Sequence, residues 1–124
     1  MSRRPLYDVR RKSYIDAAMS PRKFFHPDLA DLTLHRVLFA LSDPTRLAVV
    51  SELMKTGERA SGDLLAESVP RSTMTHHLKI LREAGVTRTR PEGMRCLISL
   101  RRQDIDARFP GLLDAIMAHG GAEA

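Results

Sequence analysis

Between residues 71 and 82 the chain sets basic and hydrogen-bonding side chains at close helical spacing: Arg71, Ser72, Thr73, Thr75, His76, Lys79 and Arg82, with Glu83 as the nearest acid. Met74, Leu78 and Leu81 fall on the opposite face, and Gly85 follows as a natural stop. Short polar groups and cations near the start of such a helix suit base edges in a DNA major groove, while later basic groups suit phosphates. This is recognition chemistry, not bond-making chemistry. His76 and His77 are neighbours, but adjacent helical residues diverge by about 100°, so the two rings do not converge on one metal ion or substrate atom. His76 is assigned to the polar face and His77 to its boundary. The chain has no glycine-rich phosphate loop, no nucleophile with an arranged base and no paired carboxylates, so an enzyme is not expected.

A second basic group follows at once. Residues 86–90 and 95–100 alternate in polarity or are β-branched, and Pro91-Glu92-Gly93-Met94 between them reads as a hairpin turn. Arg88, Arg90 and Arg95 cluster near its tip. A basic hairpin behind a basic helix can reach the backbone or minor groove beside the helix.

The elements that must position these groups are helical. From Leu29 the pattern turns helical, with Leu34, Val37, Leu38 and Leu41 on one stripe and Asp28 and Asp31 at the positive end of the helix dipole. Leu32 and Phe39 widen the apolar surface to more than one face, which implies burial on two sides. Asp43-Pro44 marks a new helix start, Leu47, Val50 and Met54 form its stripe, and Gly57 ends it near Lys55. Two short helical patterns, 61–67 and 71–84, are separated by Ser68-Val69-Pro70, which is helix-turn-helix spacing. Residues 104–108 read as a short turn, and Pro110 starts a last helix carrying Leu112, Leu113, Ile116 and Met117. The expected organisation is a basic flexible arm at 1–27, one domain at 28–119 and a short tail at 120–124.

Composition agrees. At 124 residues, 43% of them hydrophobic and 28% charged, the chain fits a single domain. The net charge of +5 is unevenly placed: residues 1–28 carry +4, 29–69 carry −2, 70–102 carry +6 and 103–124 carry −3. Positive charge thus concentrates on the proposed helix and hairpin, pointing to a polyanionic partner. No run approaches the roughly 18 apolar residues of a membrane helix, and no apolar signal core follows Met1, so a cytoplasmic protein without a membrane partner is expected. Cys96, the single cysteine, alternates with Ile98 and Leu100 and reads as a small buried hydrophobe.

With these residues in view, the chain resembles the ArsR family of bacterial winged-helix repressors. The resemblance is carried by Ala40-Leu41-Ser42-Asp43-Pro44-Thr45-Arg46-Leu47, by Ser72-Thr73-Met74-Thr75-His76-His77-Leu78-Lys79 continuing to Val86, and by the Glu92-Gly93 wing tip. It covers about residues 29 to 117. It implies a mainly α winged helix-turn-helix with a two-stranded wing, and a homodimer joined through its first and last helices. It also implies repression through an inverted-repeat DNA operator.

The departure concerns sensing. Many ArsR relatives bind metal through a Cys-x-Cys pair in the first helix of the helix-turn-helix, where this chain has Ala60-Ser61-Gly62. At a second family site this chain offers Asp104 and Asp106, then Met117 and Gly120, so at most two of four ligands remain. His26, Asp28, Asp31 and His35 form a further loose cluster, with Asp31 and His35 one helical turn apart on the first helix. No metal and no cofactor is expected. The alternatives are the same fold sensing a metal or small ligand at the dimer interface, and a winged-helix protein-interaction module.

Overall fold

The computed structural model describes residues 24–120. Five helices and a three-stranded antiparallel sheet succeed one another as α1 (Leu34–Ala40), α2 (Pro44–Thr56), β1 (Arg59–Ala60), α3 (Arg71–Glu83), β2 (Thr87–Glu92), β3 (Arg95–Leu100), α4 (Arg102–Arg108) and α5 (Leu112–His119). This is a winged helix-turn-helix. Val37, Val49, Val50, Leu53, Leu64, Met74, Leu78, Leu81, Val86, Ile98, Ile105 and Leu113 meet in one core, so every helix and the sheet contribute to it.

Local chemistry sets α2 as the sequence predicts. The Asp43 carboxylate accepts from the N–H groups of Thr45 and Arg46 at 2.8 and 3.1 Å, Pro44 occupies the first helical position, and Gly57 ends the helix with φ +82°. α1, in contrast, starts five residues later than its periodicity predicts. Residues Leu29–Asp31 make a separate 3-10 turn, and Leu32 and Thr33 are extended. The reason is tertiary. Leu32, 1% exposed, drops against Gly85, where a Cβ would lie 2.0 Å from its Cδ2. Its carbonyl accepts from Arg108 Nε at 3.0 Å, so it cannot serve a helix. Asp31 and His35 are therefore not on one continuous helix.

Four further expectations change. Residues 61–67 form a 3-10 turn at Ser61–Asp63 followed by irregular turns, with Leu65 at φ +50°, instead of an α-helix. Ala60 is drawn into the sheet opposite Leu97, Gly62 is a poor helix former, and the positive φ of Leu65 interrupts any α-helical run. That pairing also makes β1 a third strand, giving the order β1-β3-β2 where two strands are predicted. Finally, 102–108 is a helix and not a turn: Ile105 is fully buried and Arg102 Nε bonds Asp106 at 3.2 Å one turn on. α5 consequently begins at Leu112, behind Gly111 at φ +82°, and not at Pro110.

The wing turn is tighter than predicted. Pro91 and Glu92 belong to β2, and only Gly93 and Met94 connect the strands, with Gly93 at φ +60° as a two-residue turn of this hand requires.

Residues 24–27, which the sequence assigns to the arm, pack on the domain. Thr89 N–H donates to His26 Nε2 at 2.9 Å, Arg101 Nη1 donates to the Pro27 carbonyl at 2.8 Å, and the Arg82 guanidinium lies 5.0 Å from the centre of the Phe24 ring. The rest of the arm, and the tail from 121, lie outside the described residues.

Candidate nucleic-acid interface

α3 is amphipathic in the way its spacing requires. Met74, Leu78 and Leu81 are buried, while Arg71, Ser72, Thr73, Thr75, His76 and Lys79 are all exposed. Six of the predicted site residues thus share one open surface. Arg71 and Lys79 form no ion pair among the described residues, so their charge faces solvent uncompensated. Thr75 Oγ1 donates to the Arg71 carbonyl at 3.0 Å, which leaves its lone pairs outward.

Arg82 does not join that surface. It turns under Phe24, and its Nε is buried without a hydrogen-bond partner among the described residues. Burial lowers its pKa, with Glu83 and Cys96 opposing the shift. The sequence places Arg82 among the DNA-facing groups; here its guanidinium packs against Phe24 and joins α3 to the N-terminal segment. Helical periodicity cannot reveal this, because Phe24 is distant in sequence.

The histidine pair divides as predicted. His76 is exposed; His77 is half-buried, and the ring centres lie 5.9 Å apart. His77 Nδ1 is 3.0 Å from Arg46 Nη1 and must be the acceptor, since a guanidinium only donates. Arg46, 6% exposed, also donates to the carbonyls of Ala40 and Phe39 at 2.7 and 3.4 Å. One buried arginine therefore caps the Ala40 carbonyl at the end of α1, shares that of Phe39 with Ser42, and contacts the middle of α3 through His77. Its position beside Asp43-Pro44 was visible in the sequence, but its structural role was not.

The wing arginines are placed differently. Arg88 lies low on β2, 3.6 Å from Asp104; Arg90 bonds Glu58 through Nε and Nη2, both at 3.0 Å; Arg95, next to the turn, is 3.5 Å from Glu92. Bonding to Glu58, and then the charge of Glu58, raises the Arg90 pKa. The three do not cluster at the tip, and each faces a carboxylate. Cys96, on the core face of β3, is only partly buried.

Three of the groups weighed as metal ligands, Asp104, Asp106 and His26, are engaged elsewhere. Asp104 holds Arg101 at 2.9 Å, Asp106 holds Arg102, and His26 accepts from Thr89. Burial, and then the nearby cations of Arg88, Arg82 and Arg101, keep the His26 imidazole below its ordinary pKa. Among the described residues no three His, Cys, Asp or Glu side chains form a group able to hold a metal ion.

An exposed polar helix on a buried apolar base, with a three-stranded wing behind it, defines a DNA-binding module. A helix-turn-helix domain model matches residues 41–90. The chain is 34% identical over 83 residues to the HTH-type transcriptional regulator YceK of Bacillus subtilis (strain 168), covering 65% of this chain and 83% of that protein. It is 32% identical over 68 residues to the transcriptional repressor SdpR of the same organism, covering 54% and 74%. The crystal structure of an ArsR family transcriptional regulator superposes with a TM-score of 0.55 at 24% identity, over 68% of this chain and 88% of that one. The chain belongs to the helix-turn-helix transcriptional regulators, and its winged helix is of the ArsR type.

Proposed function

We propose that this chain is a cytoplasmic, non-enzymatic repressor that binds an inverted-repeat operator as a homodimer. The observation that carries the reading is the exposed face of α3, where Arg71, Ser72, Thr73, Thr75, His76 and Lys79 stand together with no acid among the described residues paired to either cation. Its similarity to SdpR supports repression. Dimerisation is supported by apolar side chains left in water: Leu34 and Leu38, one turn apart on α1, are 46% and 42% exposed, and Phe25 is 61% exposed. Covering them with a second copy stabilises association by the hydrophobic effect.

The reading assigns base contacts to Arg71, Thr75 and His76, backbone contacts to Ser72, Thr73 and Lys79, and phosphate contacts to Arg88, Arg90 and Arg95. It includes no metal-dependent induction at the thiolate or acid sites known in relatives, because Asp104 and Asp106 are already held by arginines.

Footprinting and sedimentation test it together. Two half-sites about one helical turn, roughly 10 base pairs, apart are expected, bound by a dimer. Leu38→Glu, at a position already open to water, is expected to give folded monomers that lose operator affinity. A single isolated half-site, or a wild-type monomer, contradicts the proposal. Zinc, nickel or arsenite titrated into the complex is expected to leave DNA bound; release at submicromolar free metal overturns that part.

A further inference from the structure

Arg90 lies on β2, whereas Glu58 immediately precedes β1, on the far side of the central strand β3. The Arg90 side chain must therefore cross β3 to reach its partner. It starts from a position paired with Leu97, which is also paired with Ala60 and is 7% exposed although it lies on the sheet face away from Ile98 and the core. Arg90 Nη2 donates to Glu58 Oε1 and Nε to Oε2, each at 3.0 Å. Two parallel bonds to two oxygens are the geometry with which a guanidinium also grips a phosphate. The third nitrogen, Nη1, lies 3.9 Å from Glu92 Oε2.

We propose that Glu58 is an internal stand-in for a DNA phosphate: it holds Arg90 in the free protein, must be displaced when the wing meets DNA, and so sets how much the wing adds to affinity. The proposal rests on the DNA-binding reading above. When Arg90 passes from Glu58 to a phosphate, the phosphate is neutralised, but the freed carboxylate stays beside the duplex as a new negative charge that holds a cation of the DNA atmosphere in place. The net release of cations is close to zero. The Arg90 contact is then nearly silent in both affinity and salt dependence, although the residue is basic and well placed. With an uncharged side chain at 58, the same contact releases a cation and none is taken back.

The test is fluorescence anisotropy with a mixed-sequence duplex over a salt series, for wild type, Glu58→Gln, Arg90→Ala and the double variant. Glu58→Gln is expected to bind about three- to fivefold more tightly at moderate salt, the range of an exposed ion pair. Its plot of log K against log salt is expected to steepen by about 0.9, one phosphate neutralised. In the Arg90→Ala background the same substitution is expected to change neither quantity. Weaker binding by Glu58→Gln would show that the carboxylate positions Arg90 for DNA, and an equal gain in both backgrounds would show a general charge effect. Either result overturns the proposal. Failure of the wild-type chain to bind any duplex would instead remove the DNA-binding reading itself, and this proposal with it.

Discussion

On α3, Arg71 and Lys79 project from an exposed face with no carboxylate of the described residues paired to either, whereas Arg88, Arg90 and Arg95 of the wing each face Asp104, Glu58 or Glu92. Both regions are basic when residues are counted along the chain. In space, the helix holds its charge ready and the wing holds its charge engaged. A cation already paired gains little by changing partners, while one that faces solvent gains the whole interaction and releases a counterion from the phosphate. The helix should therefore carry most of the affinity and its salt dependence, with the wing serving as a weaker, adjustable grip.

The largest effect is expected at Gly85, where α3 ends and the chain turns into the wing. Gly85→Ala places a Cβ at φ +85° and 2.0 Å from Cδ2 of Leu32, a side chain with no exposed side to retreat to. A loss of ~2 kcal/mol in stability, read from the urea midpoint, is expected from the backbone strain and the overpacking. A midpoint within experimental error of wild type would mean that Leu32 moves freely.

Next come substitutions on the helix. Arg71→Ala, Thr75→Ala and His76→Ala are each expected to relax preference at one base position, by about 1–3 kcal/mol where a good base contact is lost, while Lys79→Ala weakens binding to all sequences alike. Arg88→Ala and Arg95→Ala should cost less than Lys79→Ala and leave the salt slope nearly unchanged, because each removes a cation that was already paired. Slopes flattened by a full unit in the wing variants would abolish the distinction drawn here.

The smallest effect is expected from pH. His26 bonds the wing at Thr89, beside Arg82 of the helix, Arg88 of β2 and Arg101 before α4, with Asp104 the acid that bridges the last two. Its pKa is lowered in the folded chain, so above about 6.5 both folded and unfolded forms are neutral and stability does not depend on this group. As pH falls below that value the unfolded chain takes up the proton first. Stability should decline until the folded pKa is passed and then level off. His26→Gln, compared with wild type by urea melts between pH 5 and 8, is expected to remove this component; an unchanged profile would disprove the assignment.

How far the fold could be read from the chain depended on whether its cause was local. Asp43-Pro44 and Gly57 bound α2 through contacts within a few residues, and the stripe of Met74, Leu78 and Leu81 needs nothing beyond its own helix. The turn at Leu32 could not be read this way, because what it answers to, the missing Cβ of Gly85, is 53 positions away. The irregular course of 61–67 depends on Ala60 finding Leu97, and the neutralisation of the wing depends on Glu58 and Asp104, which lie outside the basic segment. Of the candidate site, the helix face was legible up to Lys79. Arg82 was not, since Phe24 claims it from a stretch with no periodicity.

The position of His26 has a consequence for how these molecules behave in company. β2 is an edge strand, and the N–H of Thr89 points away from β3. Two residues on, Pro91 has no N–H at all. An unguarded row of outward amides is a template onto which a strand from another chain can add. Here one amide is absent by chemistry and another is occupied by an imidazole, so the wing offers a neighbouring molecule little to pair with. Removal of the segment through residue 26 by proteolysis would open that edge, and crowded chains would then join wing to wing in addition to pairing through their exposed apolar side chains.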